Sequence, residues 1–247
     1  MSKQRIYFQD LGQIAYKDAW DYQEKLLSEN VAIKGRLRKA AEEGEPTDGL
    51  QTTHHLLFVE HPPVYTLGKS GDPAHVLLSE ENLAARGIEY FQTNRGGDIT
   101  YHGPGQLVGY PILDLEHFYT DIGRYLRNVE EVVIRTLADY GLKGERSAGE
   151  TGVWLDPDKL GKARKICAIG VRSSRWVTMH GFALNVNTDM DYFSFIIPCG
   201  IVGKQVTSLE KELGHAVDAE EVKQKVRHYF EEIFEAELVE ADRSLTH

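Results

Sequence analysis

"KICAIGVRSSRWVTMHGFALNVN", residues 165–187, decides the fold. Lys165 to Ser174 is dominated by small and branched residues, and Trp176 to Asn187 adds aromatic ones, so each half reads as a strand. The polar run "RSSR" (172–175) between them predicts a turn, which makes the strands antiparallel neighbours. Upstream, "GVWLD" (152–156) reads as a further strand. Before it, Ile122, Leu126, Val129, Val133 and Leu137 trace one face of a helix from about 120 to 140, ended by Gly141.

Toward the N-terminus, "RIYFQD" (5–10), "HLLFVEH" (55–61), "VYTLG" (64–68) and "IEYFQTN" (88–94) read as strands, with Pro62-Pro63 breaking the second from the third. Tyr16, Trp20, Leu27 and Val31 predict a helix over 16–42, and "EEGEPTDG" (42–49) lies in an exposed, insertion-like loop at 41–50. At the other end, Val222, Val226, Tyr229, Ile233 and Phe234 mark a helix, and "AELVE" (236–240) a last strand. Strands and helices mix without regular strand–helix–strand alternation. The expected class is α/β (mixed α+β), with a mixed, largely antiparallel sheet flanked by helices. No repeat or linker forces a cut, so 1–247 reads as a single domain.

The totals exclude several function classes. A formal net charge of −10 argues against general adhesion to nucleic acid or to an anionic membrane. No stretch approaches the run of about 20 apolar residues that spans a bilayer, and the first twenty residues lack the apolar core of a signal peptide. Two cysteines, Cys167 and Cys199, make no disulfide framework, and a cytoplasmic protein is expected. Ten histidines show no His-Glu-x-x-His pattern or zinc spacing, so no metal is expected.

Four stretches can carry chemistry. "NRGGDITYHGPGQL" (94–107) offers a glycine-rich backbone, an arginine (Arg95) suited to a phosphate or carboxylate, and His102. Its spacing fits neither Gly-x-Gly-x-x-Gly nor a P-loop. Lys165 opens a small and apolar strand; alone it reads as a solvated lysine, but against an apolar pocket it would become a base. Cys167, two residues on, reads as a packed core thiol and would share a strand face with Lys165. His180 reads as a ligand, a base or an internally bonded histidine. Cys199 sits on a Pro-Cys-Gly corner at the end of "FSFIIPCGIVG" (193–203). A thiolate there would need a cationic neighbour or backbone N–H groups.

Together, and in this order, "EHPPVYTLGK", "NRGGDITYHGPGQLVGYPILDL", "KICAIGVR", "HGFALNVN" and "IIPCGIVGKQVTSLEKELG" resemble the lipoyl(octanoyl) transferases of lipoate biosynthesis. The resemblance covers a motif core at 55–213. It implies a catalytic domain of the biotin/lipoate protein ligase type and an acyltransferase that needs no cofactor. That enzyme moves octanoyl from acyl carrier protein to a lysine of lipoyl domains or of the glycine cleavage H protein. By motif position it implies a Cys199 nucleophile with Lys165 as partner. Substrate contacts fall on Arg95, Gly96, Gly97, Asp98, Ile99, Thr100, Tyr101 and His102, on Ala168, Ile169 and Gly170, and on Gly181, Phe182 and Ala183. Tyr101, Ile169 and Phe182 are the expected lining of an acyl slot. Lys69, Arg172, Arg175 and Lys204 are the expected docking patch for an acidic carrier. Three alternatives stay open: an ATP-dependent lipoate or biotin ligase, a cysteine hydrolase pairing Cys199 with His102 or His180, and a non-catalytic lipoyl-domain binder.

Overall fold

A computed structural model describes residues 3–47, 49–197 and 205–241. The chain opens with β1 (Gln4–Gln13), α1 (Tyr16–Glu43), β2 (His54–Glu60), β3 (Val64–Leu67), α2 (Glu80–Ala85), β4 (Glu89–Gln92), β5 (Ile99–His102) and β6 (Gln106–Ile112). It continues through α3 (Ile122–Ala138), β7 (Val153–Leu155), β8 (Arg164–Ser174), β9 (Val177–Asn185), β10 (Gln205–Val206), α4 (Leu209–Leu213), α5 (Ala219–Ile233) and β11 (Ala236–Glu240).

The large sheet runs β10-β8-β9-β6-β2-β1-β11, with β7 also on β8, and a small sheet runs β4-β3-β5. The β2–β6, β6–β9, β8–β9 and β7–β8 ladders are antiparallel, while β1–β2, β1–β11 and β8–β10 are parallel. The mixed, largely antiparallel sheet expected from the sequence is therefore present. Pro62-Pro63 hands the chain from one sheet to the other, because a residue without an N–H cannot continue a central ladder.

The 164–185 hairpin forms, but its turn falls at Arg175 and Trp176 rather than at 172–175. Both adopt left-handed backbone (φ 48° and 67°), the primed turn that matches strand twist. Helix α1 ends at Gly44, whose left-handed backbone donates N–H to Ala40 O. The segment from 41 is thus helical to Glu43, and Gly44 to Thr47 beyond it are exposed.

Helices sandwich the large sheet. Helices α3 and α5 close one face through Val129, Val133, Val226 and Phe230, packed on Phe58, Ile166, Phe182 and Leu184. Helix α1 closes the other through Ala19, Leu26 and Leu27, against Leu57, Val108, Met179 and Ala183. Where β6 and β9 pass, Gly109 leaves no room: an added Cβ would stand 2.2 Å from the Phe182 ring. No helix among the described residues is long and apolar enough to cross a membrane.

Candidate active site

A cavity of about 600 Å³ opens along β8 and β9. Lys165 lines it, as do Arg95 to Thr100, His102, Ala168 to Gly170 and Gly181 to Ala183. These come from three separated stretches: the β8–β9 ladder aligns two, with Ala168 opposite Ala183 and Gly170 opposite Gly181, and the Gly96 N–H to Val171 O bond brings the third alongside.

Two expectations are corrected. Tyr101 does not line the cavity. Side chains alternate along β5, so Thr100 and His102 face one way and Tyr101 the other. It lies in the small-sheet core, stacked on Tyr192 at 4.7 Å and beside Tyr65. Lys165 and Cys167 do not share a face either. The register slips between Val153 and Trp154, which pair with Cys167 and Lys165, leaving Ile166 as the extra residue of a bulge. The bulge changes the parity of the strand. Lys165 faces the cavity, while Cys167 is buried in the core with its Sγ 3.6 Å from Ala168 O. Burial pushes the Cys167 thiol well up, outweighing the backbone contact at Ala183 and the charge of Lys165, so it stays protonated at neutral pH. The Cys199 corner and Lys204 lie outside the described residues.

At one end of the cavity the polar groups are tied to one another. Arg95 is buried; its Nη2 donates to Thr66 O at 2.5 Å and Oγ1 at 2.9 Å, and its Nη1 to Gly96 O at 3.0 Å. These bonds tie the Gly-rich loop to β3. The loop is seated further by Gly96 N–H to Val171 O and by Lys69 N–H to Arg95 O, both at 2.9 Å. Gly170 must be glycine here, since a Cβ would stand 2.7 Å from Gly96 O.

His61 Nδ1 donates to Ile14 O at 2.8 Å, which leaves Nε2 to accept from Tyr110 Oη at 2.7 Å. Gln106 Nε2 donates to Tyr101 O and Asn185 Oδ1, so its Oε1 accepts from His102 Nδ1 at 2.8 Å. Burial drives His61 down to about 4 and His180 to about 3, and His102 well below its usual value. Histidines held neutral this firmly are poor proton acceptors for a cysteine hydrolase. His180 Nε2 lies 2.7 Å from Asn94 Oδ1, and Asn94 Nδ2 donates to Glu24 on α1.

At the other end stands Lys165, its Nζ 4.6 Å from the centre of the Trp154 ring. Val206 of β10 pairs with it in register, and Thr207 N–H donates to its carbonyl at 2.9 Å. A hydrogen-bonded chain connects the two ends: His102 to Gln106, Gln106 to Asn185, Asn185 Nδ2 to Thr207 O, and Thr207 N–H to Lys165 O. Between them Val108, Ile122, Leu126, Ile169, Phe182 and Val206 give apolar walls for a hydrocarbon chain. Tyr16, Gln106, Tyr110, Glu150 and Asn185 also line the cavity without having been singled out as site residues, because α1, β6, the loop before β7 and the end of β9 bring them together only in the fold.

Of the expected docking patch, Lys69 and Arg175 are exposed, but Arg172 is bound to Glu24 at 2.6 Å. Among the described residues no group of three or more His, Cys, Asp or Glu side chains could hold a metal ion.

Residues 15–231 match the lipoyl protein ligase A/B catalytic domain family. A protein of Flavobacterium johnsoniae named octanoyltransferase is 59% identical over 95% of this chain and 99% of its own. One of the same name from Christiangramia forsetii is 58% identical over 94% and 97%. Among solved structures, the bipartite lipoate protein ligase of Thermoplasma acidophilum superposes with a TM-score of 0.68 at 17% identity, over 98% of this chain and 89% of that one.

Proposed function

The chain belongs to the lipoyl protein ligase A/B catalytic domain family and is an acyltransferase of octanoyl groups in lipoate biosynthesis, and we propose that it works through an acyl-Cys199 intermediate with Lys165 as proton carrier. The donor is an octanoyl thioester of acyl carrier protein; the acceptor is a lysine of a lipoyl domain or of the glycine cleavage H protein.

The observation that carries this reading is the seat of Lys165. It lines an apolar-walled cavity, and its register partner Val206 follows Cys199 by only seven residues. In the proposed cycle the Lys165 ammonium favours the Cys199 thiolate, which attacks the octanoyl carbonyl. The tetrahedral intermediate expels the pantetheine thiolate, which takes a proton from Lys165. Neutral Lys165 then accepts a proton from the acceptor amine as that amine attacks the acyl-Cys199. The amide forms, the Cys199 thiolate is released, and Lys165 is an ammonium again. A thioester is already activated, so the balance needs no ATP.

Intact-protein mass spectrometry after mixing with octanoyl-acyl carrier protein, without ATP, tests the reading. An octanoyl adduct lost in Cys199→Ala, kept in Cys167→Ala and discharged by a lipoyl domain is expected. An adduct that survives Cys199→Ala, or transfer that requires ATP, overturns it.

A further inference from the structure

Behind Lys165 lies a buried carboxylate that the proposed cycle does not use. Glu130, on the inner side of α3, is fully buried. Its Oε1 accepts the Gly152 N–H at 3.0 Å. Its Oε2 accepts Arg146 Nε at 3.0 Å and Arg127 Nη1 at 2.7 Å. Both arginines are partly exposed, so the charge is balanced from the surface side and the backbone contact is on the inner side.

Burying a carboxylate carries a desolvation cost that its partners only partly offset, and such pairs seldom stabilise a fold better than apolar side chains would. Their best-attested use is to fix register. Here the fixed element is Gly152, the residue before β7, with φ at +124°. A Cβ on Gly152 would stand 2.6 Å from Cys167 O and 3.4 Å from Lys165 Cε. The Gly152 backbone therefore lies along the stem of the lysine. Two residues on, the Trp154 ring stands under its ammonium. Both sides of the seat belong to one short segment, and Glu130 is the side chain that ties its start to α3.

We propose that Glu130 is a positioning residue for Lys165: through the Gly152 N–H it sets where β7 presents its backbone and the Trp154 ring, and so where the ammonium stands. The assignment rests on the reading of Lys165 as the partner of Cys199.

The test titrates the thiol of the full chain with iodoacetamide, following Cys199 alkylation by peptide mass spectrometry between about pH 5 and 10. In the unaltered protein the midpoint falls below the ordinary thiol value of about 8.5, and Lys165→Met returns it there. Glu130→Gln offers one acceptor oxygen where three donors converge, and is expected to raise the midpoint by about half a unit or more. Octanoyl-enzyme formation at neutral pH slows correspondingly, by about three-fold or more. Should Glu130→Gln not fold, Glu130→Asp keeps the charge but shortens the reach to Gly152, and the same upward shift is expected. If Lys165→Met moves the midpoint while a folded Glu130 variant keeps the original one, Glu130 is structural only and the proposal is overturned. If Lys165→Met itself moves nothing, the reading of the lysine fails first, and the two failures are told apart.

Discussion

The two ends of the cavity are held in different ways. Around Arg95 the side chains tie to one another and to the backbone: guanidinium to Thr66 and Gly96, His61 to Ile14 and Tyr110, His102 to Gln106. Roughly 17 Å away along β8, at about 3.3 Å per residue, Lys165 is positioned by a ring, a glycine backbone and a carboxylate one layer behind. A closed polar network of this kind is rigid and expensive to disturb. At the lysine end the supports are an aromatic face and strand backbone. One end gives the cavity its shape, and on the proposed assignment the other gives it a proton.

The sharpest break of that contrast is Lys165→Met. It is expected to lower octanoyl-enzyme formation by about 10²–10⁴-fold, the usual worth of a positioned acid–base group, while urea unfolding stays near the parent. The Arg95 end should respond the other way, through stability. His61 and His180 have folded-state values of about 4 and 3, below the unfolded value near 6.5. The unfolded chain therefore binds more protons below pH 6.5, and stability falls as pH drops from there toward 4. Each such histidine contributes about 1.4 kcal/mol per pH unit over that window, so unfolding free energies from urea titrations at pH 7 and 4.5 should differ by several kcal/mol.

Smaller effects sharpen the comparison. Arg95→Met leaves the carbonyls of Thr66 and Gly96 short of a donor, and about 3 kcal/mol of stability should be lost in urea titration. Gly109→Ala drives a methyl into the Phe182 ring between the two ends; about 2 kcal/mol is expected, with transfer of octanoyl slowed more than that of a shorter acyl chain. Arg172→Met removes a half-exposed pair with Glu24 and should cost about 1 kcal/mol or less, with carrier-protein KM unchanged.

The sequence made the elements legible wherever one pattern ran long enough. Tyr16 to Val31 declared α1, and the two halves of 165–187 declared a hairpin. What it hid were changes of phase. A one-residue bulge at Ile166 leaves no mark on the string of letters, yet it decides that Lys165 faces the cavity and Cys167 the core. The same period-two rule puts Tyr101 behind the wall that His102 lines. The polar lining from Tyr16 and Tyr110 depends on α1 crossing the sheet, which no local stretch records. The order of the motifs was the readable part, because chemistry constrains residue types in a way that packing does not.

The parallel pairing of β10 with β8 bears on when the chain becomes reactive. β8 meets β7 and β9 through nearby turns, but Val206 reaches Lys165 only after a closure of about forty residues, and such contacts form late. On the proposed assignment, a growing or partly folded chain carries its nucleophilic thiol without the lysine that activates it. The thiol would then stay quiet among cellular thioesters and oxidants until β10 docks on β8.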